Sequence, residues 1–127
     1  MSDFKILIVE DEATTGMVLQ FYLKQEGFIV TELVTTGEKS IESARTNTPD
    51  LILMDIQLAG KIDGIEAVKA IQSSINVPVI FITAYDDIEI RKNAMSLNPV
   101  AFFNKPYSNK QLINKINEIK NTISKKP

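Results

Sequence analysis

Short apolar runs that end in polar residues alternate along this chain with longer stretches whose apolar positions recur at helical spacing. Ile6-Leu7-Ile8-Val9, Leu51-Ile52-Leu53-Met54 and Val77-Pro78-Val79-Ile80-Phe81-Ile82 have the pattern of parallel strands buried on both faces. Phe28-Ile29-Val30-Thr31-Glu32-Leu33-Val34 is rich in β-branched and aromatic residues and predicts another strand, and Val100-Ala101-Phe102-Phe103 a fifth. Between the strands, Ala13 to about Glu26 predicts a helix with Met17, Val18, Phe21 and Tyr22 on its apolar face and Gly27 as its stop. Gly37 to Thr46 predicts the next, with Thr35 and Glu38 as a capping box and Ile41 and Ala44 inward. Asp63 and Glu66 cap a third, with Ile65, Val68 and Ile71 as its buried stripe. Asp86 and Glu89 cap a fourth that reaches about Leu97, where Asn98 takes a left-handed stop and Pro99 forbids continuation. Ser108 and Gln111 open the last, carried by Leu112, Ile116, Ile119 and Ile123. A βα unit repeated five times predicts a parallel sheet with helices on both faces and right-handed crossovers.

Composition narrows the chemistry more than the fold. A chain of 127 residues fits one domain over 1–127, large enough for a core without staples. It contains neither Cys nor His. That removes disulfides, thiol nucleophiles, Cys-based metal sites, the usual general base and any histidine that could carry a phosphoryl group. The apolar runs are too short to span a bilayer, and Met1-Ser2-Asp3 lacks a basic leader, so a cytoplasmic protein without a membrane partner is expected. Net charge is −2, and Lys110, Lys115, Lys120 and Lys125 recur at a spacing that scatters them around a helix. No nucleic-acid partner is expected from such a distribution.

What remains is concentrated at strand ends. Glu10-Asp11-Glu12 follows the first strand, Asp55 the third, Thr83 the fourth and Lys105 the fifth. In a parallel sheet these ends share one edge, where ligands of open α/β folds bind. Clustered carboxylates repel one another unless a cation sits among them, and oxygen ligands without His or Cys suit magnesium. A lysine and a hydroxyl beside them complete an anion site, so the set describes a phosphoryl acceptor.

Val9-Glu10-Asp11-Glu12, Leu53-Met54-Asp55, Asp63-Gly64, Thr83-Ala84 and Lys105-Pro106 together resemble the receiver domain of two-component response regulators, over nearly the whole chain. The resemblance implies a flavodoxin-like (βα)5 fold with strand order 2-1-3-4-5. It implies Asp55 as phosphoacceptor, with Thr83 and Lys105 contacting the phosphoryl group. Asp11 and Asp55 would ligate magnesium, Glu10 through a water and Gln57 through its backbone carbonyl. Thr83 and Phe102 would be the switch residues, Gln57 and Tyr85 would gate the hydrolytic water, and the Lys105-Pro106 bond would be cis. The implied partners are a histidine kinase or phosphotransfer protein and a downstream protein docking on the fourth helix, fifth strand and fifth helix. Departures from the family pattern are Glu10 for a frequent aspartate, a loop from Asp55 to Asp63 one residue longer than is common, Asn98-Pro99 for Gly-Ala, and Phe102 for a frequent tyrosine.

Three function classes compete. A phosphorylation-gated module explains the acids, Thr83 and Lys105 together, and is not expected to be an enzyme beyond its own phosphorylation and dephosphorylation. An aspartyl-nucleophile phosphohydrolase would need an Asp-x-Asp at the first strand end, which Glu10-Asp11-Glu12 lacks. A pure cation-binding interaction module leaves Thr83 and Lys105 unexplained. A receiver cut from a hybrid kinase is the remaining alternative within the first class.

Overall fold

Alternate residues of each central strand are apolar on both faces, and this decides the layering. In the computed structural model, which describes residues 3–85 and 87–124, Ile6, Ile8, Leu51, Leu53, Ile80 and Ile82 pack on one side of the sheet with Leu19, Leu23, Leu112 and Ile116. Their neighbours Leu7, Val9, Ile52, Met54, Val79 and Phe81 pack on the other with Ala44, Ala67, Val68, Ile71 and Ala94. The elements run β1 (Lys5–Val9), α1 (Ala13–Gln25), β2 (Ile29–Val34), α2 (Gly37–Asn47), β3 (Leu51–Asp55), α3 (Gly64–Gln72), β4 (Val79–Thr83), α4 (Ile88–Met95), β5 (Ala101–Asn104) and α5 (Asn109–Ser124). All pairings are parallel, in the order β2-β1-β3-β4-β5. Helices α1 and α5 thus cover one face, and α2, α3 and α4 the other. Among the described residues no helix is long and apolar enough to cross a membrane.

Three helix details differ from the sequence expectation. Helix α1 buries Gly16, Leu19 and Leu23, whereas Met17, Val18 and Phe21 stand 62 %, 61 % and 63 % exposed; of the expected face only Tyr22 packs on the core. The helix has two apolar stripes, and the buried one includes Gly16, which lies so close under Leu33 that an added carbon would stand 2.8 Å from its Cδ1. Helix α2 is capped by Thr36, which accepts the Lys39 N–H at 3.1 Å, and not by a Thr35–Glu38 box. Glu38 instead reaches the β3–α3 loop, where its Oε2 accepts the Lys61 N–H at 3.1 Å. Helix α4 is capped by Asp87, which accepts the N–H groups of Glu89 and Ile90; the expected Asp86–Glu89 box involves a residue outside those described.

The remaining caps follow the pattern. Asp63 and Glu66 form a reciprocal capping box on α3, the Ser108 hydroxyl accepts the Gln111 N–H at 3.3 Å, and Asn98 is left-handed at φ 56°. The long β3–α3 loop is tied down at its middle by a parallel bridge between Thr36 and Ala59, and Gly60 turns it at φ 99°, a conformation that favours glycine.

Candidate functional site

Register delivers the site. Val9 pairs with Met54, Asp55 with Ile82 and Thr83 with Asn104, so Glu10, Asp55, Thr83 and Lys105 emerge level with one another at the carboxyl edge. Two backbone bonds hold that edge together: Lys105 N–H donates to Thr83 O at 2.7 Å, and Ile56 N–H to Ile82 O at 3.1 Å.

Lys105 Nζ donates to Glu10 Oε1 at 2.8 Å and to Asp55 Oδ2 at 2.9 Å, with both carboxylates buried. The other oxygen of each acid is held by backbone, Asp55 Oδ1 by the Gln57 N–H at 3.1 Å and Glu10 Oε2 by the Glu12 N–H at 3.1 Å. Each carboxylate therefore has one charge-assisted and one amide contact, which fixes its plane. Exposed Asp11 completes the cluster, and Glu10, Asp11 and Asp55 each bring one oxygen within 4.8 Å of the others.

Two acids sharing one ammonium leave the site with a surplus of negative charge. Burial raises the Asp55 pKa, the Lys105 hydrogen bond opposes it, and the adjacent Glu10 adds to the rise, leaving it at about 7. For Glu10, burial is outweighed by the hydrogen bonds from Lys105 and the Glu12 amide, and its pKa falls. Burial and the neighbouring Glu10 thus favour the protonated form of Asp55, while Lys105 and the Glu12 amide favour the ionised form of Glu10. Partial burial and the charge of Glu10 raise Asp11 as well. Burial alone would lower Lys105, but its two carboxylate partners win and keep it protonated. Three carboxylates with no nitrogen or sulfur ligand fit a hard divalent cation such as magnesium, which would neutralise this surplus.

Thr83 is fully buried, and its hydroxyl lies 2.8 Å from Gln57 Oε1 and receives the Tyr85 N–H at 3.0 Å. The Gln57 side chain therefore faces Thr83, while its main chain faces Asp55. Tyr85 is 59 % exposed. Phe102 packs half-buried on the α2–α4 side of the sheet, with the Arg91 guanidinium 4.3 Å from its ring centroid, a cation–π contact joining α4 to β5. Phe103 packs on the opposite face and stacks against Tyr107 at 6.1 Å. The Lys105-Pro106 bond is cis.

Glu10, Asp11, Asp55, Gln57, Thr83, Tyr85 and Lys105 lie at or beside this edge, whereas Phe102 sits back within β5, paired with Phe81. Sequence reasoning missed the Gln57–Thr83 bond, the Arg91–Phe102 contact and the Glu38 tie to the β3–α3 loop. None has a local signature, since each joins segments brought together only by the sheet. Chemically, the edge offers a fixed carboxylate oxygen, an ammonium beside it and a hydroxyl one strand away, the groups needed to form and hold an acyl phosphate.

The family described as the response regulator receiver domain matches residues 6–117. The chain is 32 % identical over 109 residues to the transcriptional regulatory protein PdtaR of Mycobacterium tuberculosis, covering 86 % of this chain and 53 % of that protein. It is 35 % identical over 115 residues to the transcriptional activator protein IrlR of Burkholderia pseudomallei, covering 91 % and 49 %. It thus spans about half the length of these relatives. Among solved structures, the signal receiver domain of a modulated diguanylate cyclase from Desulfovibrio desulfuricans G20 superposes with a TM-score of 0.86 at 31 % identity, over 93 % of this chain and 94 % of that one. With its strand order, its acid cluster and its lysine, the chain belongs to the response regulator receiver domains of two-component signal transduction.

Proposed function

We propose that Asp55 accepts a phosphoryl group from a histidine kinase or phosphotransfer protein, in a magnesium-dependent step, and that the phosphorylated form alters a partner-docking surface on α4, β5 and α5. The observation that carries this reading is Asp55 itself, a buried strand-end carboxylate held 2.9 Å from Lys105 Nζ within a cluster of acids. A carboxylate oxygen of Asp55 attacks phosphorus, the donor's phosphorus–nitrogen bond breaks with its electron pair departing on the imidazole, which leaves as neutral histidine, and the Lys105 ammonium would donate to a phosphoryl oxygen. Magnesium would be held by Asp11 and Asp55, by Glu10 through water and by the Gln57 carbonyl, and would supply charge neutralisation. The docking surface is supported by Ile88, which stands 86 % exposed on α4, and by Arg91 on the ring of Phe102. The relatives PdtaR and IrlR are named for transcription, so the expectation of no nucleic-acid partner extends no further than these 127 residues.

The test is intact mass after incubation with acetyl phosphate. One phosphoryl group is gained with magnesium and none with a chelator; equal gain in both removes the metal from the reading. A companion prediction concerns binding alone. A ligand bound only by the folded state stabilises it by on the order of 1 to 3 kcal/mol at large excess, a few degrees of melting temperature. Magnesium raises the melting temperature of the wild type and raises that of Asp11→Ala less; an equal rise in both would take Asp11 out of the metal site. Because Asp55 holds a proton up to about pH 7 that a metal must displace, the rise is larger at pH 8 than at pH 6.

Tyr85 gives a further expectation. Lying two residues beyond Thr83, its ring can fold over the phosphoryl group and screen it from water. Tyr85→Ala therefore shortens the phosphorylated lifetime several-fold, about 1 kcal/mol of barrier, with unchanged labelling stoichiometry. Decay at the wild-type rate after donor removal would return Tyr85 to the docking surface.

A further inference from the structure

The Thr83 hydroxyl has one proton and is already committed as an acceptor. Its oxygen receives the Tyr85 N–H at 3.0 Å, and of the two oxygens in reach of its proton Gln57 Oε1 is the nearer, at 2.8 Å against 3.2 Å for Tyr85 O. Gln57 also donates its backbone N–H to Asp55 Oδ1 at 3.1 Å. One residue thus grips the acceptor carboxylate with its main chain and the buried hydroxyl with its side chain. We propose that Gln57 is a positioning residue that holds the Thr83 hydroxyl away from Asp55 in the unphosphorylated protein, so that a phosphoryl group must take the hydroxyl proton from the Gln57 amide oxygen before the switch can move. The proposal rests on the reading of Asp55 as phosphoacceptor, and it changes the part Gln57 plays from gating water to setting the switch equilibrium.

The competition is unequal. A charged phosphoryl oxygen is a stronger acceptor than a neutral amide oxygen, so phosphorylation wins, but against a fixed opposition. Removing that opposition raises the fraction of switched molecules, and a ligand selecting the switched state then binds more tightly by the same factor. A single neutral hydrogen bond corresponds to about a fivefold change, or about 1 kcal/mol at 1.4 kcal/mol per tenfold.

The experiment uses beryllofluoride with magnesium as a phosphoryl mimic on the whole chain. Gln57→Met keeps the length of the side chain and removes its amide; Gln57→Ala, which removes most of it, serves as a second variant. Both are expected to bind beryllofluoride about fivefold more tightly than wild type, and Gln57→Met in a Thr83→Val background to bind no more tightly than Thr83→Val alone. In the metal-free protein, side-chain couplings of Thr83 should report one χ1 rotamer in wild type and a second, minor one in Gln57→Met, where only the Tyr85 main chain still holds the hydroxyl. Unchanged affinity, an equal change in both backgrounds, or a Thr83 rotamer indifferent to Gln57 would each overturn the proposal. If beryllofluoride binds none of the proteins and acetyl phosphate leaves Asp55 unlabelled, the phosphoacceptor reading falls and takes the proposal with it. The labelling distinguishes that failure from the others.

Discussion

Asp55→Asn gains no phosphoryl mass under conditions in which the wild type gains one group. The amide has the volume of the carboxylate, and its oxygen can still accept the Gln57 N–H that lies 3.1 Å from Asp55 Oδ1. What it lacks is the anionic oxygen that attacks phosphorus. Loss of labelling with retained fold is therefore expected, and labelling equal to wild type would refute the assignment. A second reading of the same variant checks the electrostatics. Folded Asp55 keeps its proton to about pH 7, above the ordinary value of 3.8, so folding takes up a proton between those values and stability falls as pH rises through that window. Asparagine imitates the protonated acid and escapes the penalty. Without metal, Asp55→Asn should melt above wild type at pH 8, by a margin that shrinks toward pH 4. A margin independent of pH would show that the acid pair is not strained by its charge.

Gly64→Ala lowers the melting temperature by roughly 5 to 10 °C, consistent with an overpacking cost of about 1 to 3 kcal/mol. A Cβ at Gly64 would lie 2.2 Å from the Asp55 carbonyl oxygen and 2.9 Å from the Ile56 Cα, where the Gly64 N–H also donates to Ile56 O at 2.8 Å. These are backbone atoms and have no rotamer to yield, so α3 must move off the end of β3. The move tilts the peptide that carries Asp55, and labelling by acetyl phosphate should slow as well. Gly16→Ala is the contrast. There the added carbon meets side-chain methyls of Leu33 at 2.8 and 3.1 Å, which can rotate, and alanine favours the helix by up to about 1 kcal/mol. Equal loss of stability in the two variants would argue that crowding of the Asp55 backbone is not the cause.

The sheet was legible in the sequence because its central strands are apolar on both faces, and a strand of that kind has no competing interpretation once helical periods flank it. The site was legible for the same reason, since a charged residue that ends such a strand has only the carboxyl edge to occupy. Helix α1 was misread because periodicity locates stripes without saying which one faces inward. Leu19 and Leu23 are buried and Met17 and Phe21 exposed, although both sets recur at helical spacing. Thr35 with Glu38 has the spacing of a capping box, yet Thr36 accepts the Lys39 N–H and Glu38 accepts the Lys61 N–H from a distant loop. The Gln57–Thr83 bond joins residues 26 positions apart, and no local pattern encodes which face of a loop side chain will meet a neighbouring strand.

The ammonium that balances the site arrives from far along the chain. Lys105 is 95 positions from Glu10 and 50 from Asp55, so a chain that has formed β1, β3 and β4 carries every acid of the cluster and none of its compensating charge. Closing so long a loop has a conformational cost that grows only slowly with its length, and the unbalanced acids attract the C-terminal segment that closes it. A molecule in which β5 has left β4 therefore presents the carboxylates of Glu10, Asp11 and Asp55 without the ammonium that bridges two of them.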